Sequence, residues 1–200
     1  MVQGAALELV AGDAALLATD VGPVIDTEAF DSIQKHIERL NTTSKVVIGQ
    51  QRAQQNPAQA APNIVANNVA NIVLPCAFEV SRISDVATEI FGPVLHIVRW
   101  GGDPALVIDQ INTLGYGLTL GIQTRIDSRA QQLAARAHVG NVYINRAMTG
   151  AVVGVQPFGG EGLSGTGPKA GGPHYLQRFC TEQTVTVNTT AAGGNVALMV

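Results

Sequence analysis

The sequence predicts an α/β fold in which a parallel sheet is built from a β-α-β-α-β run. Short β-branched segments recur between residues 94 and 145, and the segments that separate them carry apolar residues at helical spacing. Strands joined through helices pair in parallel, with right-handed crossovers. Because such sheets bind ligands beyond the carboxyl ends of their strands, the Gly-rich segment that follows residue 145 is the expected site.

The chain before this region contains a predicted amphipathic helix and a short strand. An Ala- and Leu-rich run over residues 4–17 could form a first helix. Asp26 or Thr27 can cap a second helix, which ends near Asn41. Its apolar residues recur at spacings of three and four: Phe30, Ile33, Ile37 and Leu40. Residues 45–48 are predicted to form a strand.

Residues 49–71 differ in composition from the segments on either side. They are rich in Gln, Asn and Ala, contain Pro57 and Pro62, and carry almost no charge. We expect a long flexible loop here, inside the domain and not between domains. A strand is predicted to follow it over residues 71–80.

The region that contains the β-α-β-α-β run has clear helix boundaries. The predicted strands are residues 94–100, 118–124 and 141–145. Asp103 can cap the first intervening helix, which ends at Gly115. Asp127 can cap the second helix, which ends before Gly140.

The composition excludes several classes of function. The chain has 200 residues, of which 46% are hydrophobic and 14% charged, and its net charge of −3 comes without a basic cluster. We therefore expect a globular protein that does not bind nucleic acid. No apolar run is long enough to span a bilayer, and the N-terminal residues lack the basic region of a secretory signal, so no membrane partner is expected.

The cysteines and histidines favour a reducing compartment and no metal site. Cys76 and Cys180 are the two thiols of the chain, and they lack the CxxC spacing of redox and zinc motifs. A cytoplasmic location follows from this cysteine usage. The four histidines are scattered without ligand spacing, so no metal ligands are predicted.

Two separated motifs resemble those of aldehyde dehydrogenases. Gln-Pro-Phe-Gly-Gly at 156–160, followed by Gly-Leu-Ser-Gly at 162–165, is similar to the end of the catalytic domain in that family. Glu-Ile-Phe-Gly-Pro at 89–93 matches the family's Glu-x-Phe-Gly-Pro. Within the family the chain resembles 1-pyrroline-5-carboxylate dehydrogenases, including the dehydrogenase half of bifunctional proline-utilisation proteins. The likeness runs from about Asp20 to Asn195, and it implies NAD-dependent oxidation of glutamate semialdehyde to glutamate in proline catabolism.

The resemblance implies roles for four residues near the substrate. Gly150 and Ala151 would anchor the substrate carboxylate through backbone N–H groups, which form an anion-binding concavity in a Gly-containing turn. Phe158 would pack beside the aldehyde chain, and Ser164 could donate a hydrogen bond nearby. The alternatives are an ordinary surface turn at 150–151, a core aromatic at 158 and a structural turn serine at 164.

Two further residues are implied to contact NAD. Glu89 would accept hydrogen bonds from the nicotinamide-ribose hydroxyls, a role that suits a carboxylate because each oxygen can accept one hydroxyl donor. Phe91 would lie against the nicotinamide. The alternative for Glu89 is a solvated side chain at a helix end. The segment 165–170 also fits a dinucleotide-binding pattern, but it follows a loop and not a strand, so we interpret it as a chance match.

The family nucleophile is a cysteine in a Gly-Gln-x-Cys motif, and these 200 residues contain no such motif. In the resembled family this motif, the Rossmann domain, the general base and the oxyanion-hole Asn all precede the matched region. Cys76 and Cys180 are predicted to be packed thiols, so no catalytic residue is assigned. Two functions stay open. The chain is either the C-terminal portion of the dehydrogenase, inactive alone, or a catalytically dead binding or assembly module derived from an aldehyde dehydrogenase.

The predicted organisation has a partial catalytic domain over residues 1–182 and a C-terminal oligomerisation strand and tail over residues 183–200. Gln183 to Asn188 alternates Val with Thr and Asn, as a strand that pairs with another edge does. In the resembled family this strand pairs with a neighbouring subunit. We therefore expect a homo-oligomer, with the missing N-terminal portion as a further candidate partner.

Overall fold

The computed structural model describes residues 1–50, 70–148, 150–152 and 154–188. The chain divides into two compact units, Met1–Leu114 and Gly115–Val200. Most of the predicted loop over residues 49–71 lies outside the described residues. In the described ranges, no helix is both long enough and apolar enough to cross a membrane. The predicted domain boundary at residue 182 stays a prediction.

In its described residues, the first unit contains three helices and a three-stranded sheet. The elements are α1 (Val2–Glu8), α2 (Thr27–Thr43), β1 (Lys45–Ile48), β2 (Cys76–Val80), β3 (Val94–Val98) and α3 (Pro104–Thr113), with a 3-10 turn at Ile83–Asp85. The strand order is β1-β2-β3. β1 pairs with β2 in antiparallel orientation, and β3 pairs with β2 in parallel, with Cys76 opposite Val94.

Helix α2 forms as its sequence predicts and supplies three of the seven buried residues of the core cluster in this unit. The Asp26 carboxylate accepts a hydrogen bond from the Ala29 N–H at 2.8 Å and so caps the helix. Leu40 on α2 is fully buried, and Phe78 on β2 is 1% exposed. They belong to one apolar cluster with Val73, which precedes β2, and with the other buried cluster residues of the two elements: Ile33, Ile37, Cys76 and Val80.

The described part of the second unit contains short strands and one α-helix. The elements are β4 (Tyr116–Gly117), β5 (Thr119–Ile122), α4 (Asp127–Arg136), β6 (Asn141–Ile144) and β7 (Glu161–Gly162), with a 3-10 helix at Tyr175–Phe179. β5 and β6 pair in parallel, in register from Thr119 opposite Asn141 to Ile122 opposite Ile144. β4 and β7 pair in antiparallel orientation.

The predicted continuous β-α-β-α-β sheet is not formed by the described strands. β3 pairs with β2 in a sheet that also contains β1, whereas β5 and β6 form a separate two-stranded sheet. The β5-α4-β6 portion is parallel as predicted. The prediction of one continuous sheet failed because side-chain periodicity identifies a strand and its buried face, but does not specify which strand will pair with it.

Two predicted strands differ from those observed. The strand over residues 71–80 is limited to Cys76–Val80. Residues 183–188 form no strand in the described part of the chain, and Val185 and Val187 are 74% and 71% exposed. A lone extended segment has no ladder of hydrogen bonds until it meets another strand, so its alternating pattern alone does not make it one.

Candidate functional site

Strand β6 ends in a turn that is fixed by the side chain of Asn145. This residue has φ of 55°, in the left-handed region that Asn tolerates better than most residues. Its Oδ1 accepts from the Thr124 N–H and its Nδ2 donates to the Thr124 carbonyl, both at 2.9 Å. The amide side chain thus pairs with the backbone after β5 and holds the two carboxyl ends together.

The loop that leaves this turn is held by Tyr143. The Tyr143 hydroxyl donates to the Gly150 carbonyl at 2.9 Å, and the Arg146 guanidinium carbon lies 4.9 Å from the centre of the Tyr143 ring. Gly150 has φ of 132°, a conformation that is essentially restricted to glycine. The N–H groups of Gly150 and Ala151 donate to no other described residue. They are therefore free to bind an anion within the described part of the loop.

The Gln156–Gly160 motif packs against the opposite end of β6. Nδ2 of Asn141 donates to the Pro157 carbonyl at 3.0 Å, and Oδ1 of Asn141 accepts from the Gly159 N–H at 3.2 Å. A Cβ atom on Gly140 would lie 1.7 Å from the Gly159 carbonyl oxygen, so only glycine permits this approach. From the predicted topology we expect the whole Gly-rich segment at the carboxyl end of β6. The structure places residues 146–151 there and residues 157–160 at its amino end.

Phe158 and Ser164 both have structural contacts in the second unit. Phe158 is half-buried and pairs its backbone with Ala170 through two hydrogen bonds of 3.0 Å. The Ser164 hydroxyl oxygen accepts from the Gly117 N–H at 3.1 Å and so connects the turn after β7 to β4. That contact uses an acceptor position of the hydroxyl and leaves its hydrogen available to donate.

The segment over residues 165–170 does not have the geometry of a dinucleotide-binding turn. It begins after β7, which is two residues long, and the next helical element is a 3-10 helix at Tyr175–Phe179. The Lys169 ammonium donates to the Gly140 carbonyl, which holds the segment against the start of β6. A dinucleotide-binding turn requires a strand that leads directly into an α-helix, so the pattern is a chance match, as predicted.

The Glu89–Pro93 motif lies in the first unit, between α2 and β3. The Pro93 carbonyl accepts from the Cys76 N–H at 3.0 Å, and a Cβ on Gly92 would lie 2.7 Å from Cδ1 of Ile33. Phe91 is 79% exposed. Glu89 is exposed, and it takes part in none of the ion pairs of the described residues. A free carboxylate and an open aromatic face fit a ribose diol and a nicotinamide ring, so these two residues suit NAD chemically.

The two cysteines differ in environment. Cys76 is 3% exposed, and burial raises its pKa to about 11, so it stays a neutral thiol at physiological pH. It is a packed thiol, as predicted. Cys180 is exposed, with its thiol 3.5 Å from the Leu176 carbonyl, so the prediction of a packed thiol is wrong there. The nearby apolar residues Phe179 and Leu176 are exposed as well.

One polar cluster was missed by the sequence analysis. His36 on α2 and His96 on β3, which are separated by 60 residues, form a side-chain hydrogen bond in the first unit. Arg39 contacts His36 and also the Asp85 carbonyl. No local signal could reveal this pair, because the spacing rules for metal ligands apply to residues near one another in sequence. Among the described residues, no group of three or more His, Cys, Asp or Glu could hold a metal ion.

The four substrate candidates thus lie in the second unit and the two cofactor candidates in the first. Residues 1–185 match the model of the aldehyde dehydrogenase family. Bifunctional protein PutA of Salmonella typhimurium is 47% identical over 192 residues, which cover 95% of this chain and 14% of PutA.

Solved structures give the same result. A variant of proline utilization A from Bradyrhizobium japonicum superimposes with a TM-score of 0.78 at 48% identity, over 95% of this chain and 18% of that one. A 1-pyrroline-5-carboxylate dehydrogenase from Thermus with bound NAD gives a TM-score of 0.70 at 35% identity, over 88% of this chain and 32% of that one. The chain therefore spans a minor part of each relative. It belongs to the aldehyde dehydrogenase family.

Proposed function

We propose that the chain is the C-terminal portion of an NAD-dependent 1-pyrroline-5-carboxylate dehydrogenase, which oxidises glutamate semialdehyde to glutamate in proline catabolism. The observation that carries this proposal is the loop after β6, whose Gly150 and Ala151 N–H groups have no described partner. The similarity to PutA and to 1-pyrroline-5-carboxylate dehydrogenases supports the choice of substrate.

The substrate differs from simple aldehydes by its α-carboxylate, and the proposed anchor for that group is the 150–151 turn. Successive N–H groups bind an anion through hydrogen bonds that need no charged side chain. Charge-assisted hydrogen bonds of this kind contribute about 1.5–3 kcal/mol each. The turn would hold the carboxylate end of the substrate and leave the aldehyde end free to reach the nucleophile.

Phe158 and Ser164 complete the proposed substrate contacts. Phe158 is half-buried, so part of its ring is available to pack against the apolar middle of the substrate. Ser164 keeps its hydroxyl hydrogen for a ligand while its oxygen accepts from Gly117. In this proposal both residues limit the orientation of the aldehyde chain, and neither one takes part in bond making.

Glu89 and Phe91 are proposed to hold the nicotinamide end of NAD. When bound, NAD supplies the acceptor for the hydride that leaves the substrate. Glu89 would accept hydrogen bonds from the ribose hydroxyls, and Phe91 would orient the nicotinamide ring through its exposed face. Burial of that face would also remove an apolar surface from water.

The 200 residues alone are proposed to be inactive, because they contain no Gly-Gln-x-Cys motif and Cys76 is a buried neutral thiol. A second candidate function is a catalytically dead binding or assembly module. The observation that favours it is the exposed alternating segment over residues 183–188, which can recruit another strand without any chemistry. In either case we propose a cytoplasmic homo-oligomer.

The carboxylate site can be tested by NMR titration of the 200-residue chain with L-glutamate and L-proline. The proposal expects weak binding, with shifted amides at Gly150, Ala151 and their neighbours in the loop over residues 146–160. Prolinamide, which has no carboxylate, is the matched control ligand and should not shift those amides. Shifts confined to the first unit, or equal shifts with prolinamide, would exclude the 150–151 turn as the anchor.

A further inference from the structure

The buried Tyr143 connects the sheet of the second unit to the loop proposed to bind the carboxylate. It is 5% exposed, and its hydroxyl donates to the Gly150 carbonyl at 2.9 Å. We infer that Tyr143 is a positioning residue that fixes the direction of the peptide between Gly150 and Ala151. This inference rests on the proposed function, since it deepens the account of the same site.

Peptide geometry links the direction of the Gly150 carbonyl to that of the Ala151 N–H. In a planar trans peptide the C=O of one residue and the N–H of the next point in opposite directions. The carbonyl of Gly150 and the N–H of Ala151 belong to the same peptide. Because Tyr143 holds that carbonyl toward itself, the Ala151 N–H must point away from Tyr143. The direction of the proposed anion donor is thus set by a hydroxyl that does not touch the ligand.

Because residue 150 is glycine, the 150–151 peptide needs an external hydrogen bond to keep one orientation. Gly150 has φ of 132°, and glycine can leave this conformation for many others at little cost. Without an external hydrogen bond, the 150–151 peptide could rotate and direct its carbonyl toward an incoming carboxylate. A donor that is oriented before the ligand arrives binds more tightly than one that must be ordered on binding.

The surroundings of Tyr143 explain why its hydroxyl can hold the Gly150 carbonyl in one place. It pairs in register with Gly121 on β5. A Cβ on Gly121 would lie 2.9 Å from the Met148 sulfur, so Gly121 leaves room for that side chain to pack on the strand. Arg146 lies over the Tyr143 ring at 4.9 Å, in a cation–π contact that covers the ring face. The loop is thus held at Met148 and at Gly150.

The test compares Tyr143→Phe with Tyr116→Phe, the same change on β4 of the same unit. Both variants lose only a hydroxyl, and thermal unfolding establishes that each is folded. The dissociation constant for L-proline is measured by NMR titration, and the order parameter of the Ala151 amide by 15N relaxation without ligand. Tyr143→Phe is expected to weaken proline binding about 5- to 10-fold, since one neutral hydrogen bond is lost. It should also lower the Ala151 order parameter, whereas Tyr116→Phe should change neither quantity.

The outcomes separate this inference from the proposed function. If the wild-type chain binds proline and Tyr143→Phe binds it equally, with an unchanged Ala151 order parameter, the inference is overturned and the carboxylate site stands. If the wild-type chain binds no carboxylate, the proposed site fails, and the ligand-free order parameter decides the inference. A lower Ala151 order parameter in Tyr143→Phe than in the wild type then supports the positioning role, and an unchanged order parameter overturns it.

Discussion

The Nε2 atoms of His36 on α2 and His96 on β3 lie 2.8 Å apart, and the two rings meet edge to face. Arg39 can only donate, so its contact of 3.3 Å with Nδ1 of His36 makes that nitrogen an acceptor. The hydrogen of His36 is then on Nε2 and is donated to His96. Both imidazoles are therefore neutral in the folded chain. A second proton on His96 would occupy the accepting Nε2 and break this connection between α2 and β3, and a second proton on His36 would occupy Nδ1 and break the contact with Arg39.

This pair predicts that the first unit loses stability in mild acid. Burial, with Arg39 and the partner ring, lowers the pKa of His36, and burial with Arg39 lowers the pKa of His96, both from the ordinary 6.5. Well above about pH 6.5 the two imidazoles are neutral in both the folded and the unfolded chain. The free energy of unfolding then does not depend on their titration. As the pH falls below that value, the unfolded chain binds protons first, so the free energy of unfolding decreases.

The measurement is urea unfolding at pH 7.5 and pH 5.0. The wild type should lose more stability between the two pH values than His96→Gln, in which one titrating group is removed. His174→Gln is the matched control, because His174 is exposed and should leave the pH dependence as in the wild type. An equal loss in wild type and His96→Gln would show that the pair does not set the acid sensitivity.

Gly140→Ala is predicted to destabilise the second unit. The new Cβ would lie 1.7 Å from the Gly159 carbonyl oxygen. The Cβ is fixed directly to the backbone and the oxygen is itself a backbone atom, so the strand or the Gly-rich segment must move. Such overpacking costs typically about 1–3 kcal/mol. Gly167→Ala is the matched control, since no atom lies within 4 Å of its added Cβ. Its effect on the free energy of unfolding should stay within about 0.5 kcal/mol.

Chemical denaturation of the two alanine variants measures both effects. A Gly140→Ala variant as stable as Gly167→Ala would mean that the Gln156–Gly160 motif is not held against the start of β6. The contacts that Asn141 makes with Pro157 and Gly159 would then also be in doubt.

Deletion of residues 183–200 is predicted to shift a homo-oligomer toward monomer or aggregate. Val185 and Val187 are 74% and 71% exposed, and in an extended segment they share one face. Light scattering of the intact and shortened chains measures the change. Val187→Lys should weaken association, whereas Thr186→Lys, on the other face, should weaken it less. A well-behaved monomer with the tail intact would refute the prediction.

Local signals in the sequence predicted some helix boundaries and missed others: the run over residues 4–17 is helical only up to Glu8, and Asp127 is the first residue of α4 and not its side-chain cap. Asp26 and Asp103 both cap helices as predicted, because an N-cap is decided by the residues within one turn. The bounds of β1 were also predicted, at Lys45–Ile48. These elements depend on neighbours in the sequence, so patterns over a few residues identify them.

The partners of the strands and of the polar side chains could not be predicted in the same way. β4 pairs with β7 through Tyr116 and Gly162, far apart in sequence, and neither two-residue strand has a periodic pattern. The contact of His36 with His96 is of the same long-range kind. The motifs located the Gly-rich segment in the sequence, but only the structure shows that Asn141 holds part of it at the amino end of β6.

A dehydrogenase assay of the 200-residue chain, alone and mixed with the N-terminal portion of a PutA relative, tests the central claim most directly. NADH formation is followed with glutamate semialdehyde as the substrate. The account predicts no NADH from the chain alone and NADH from the mixture, since the nucleophile motif would come from the added portion. Turnover by the chain alone that disappears in Cys76→Ser or Cys180→Ser would contradict it.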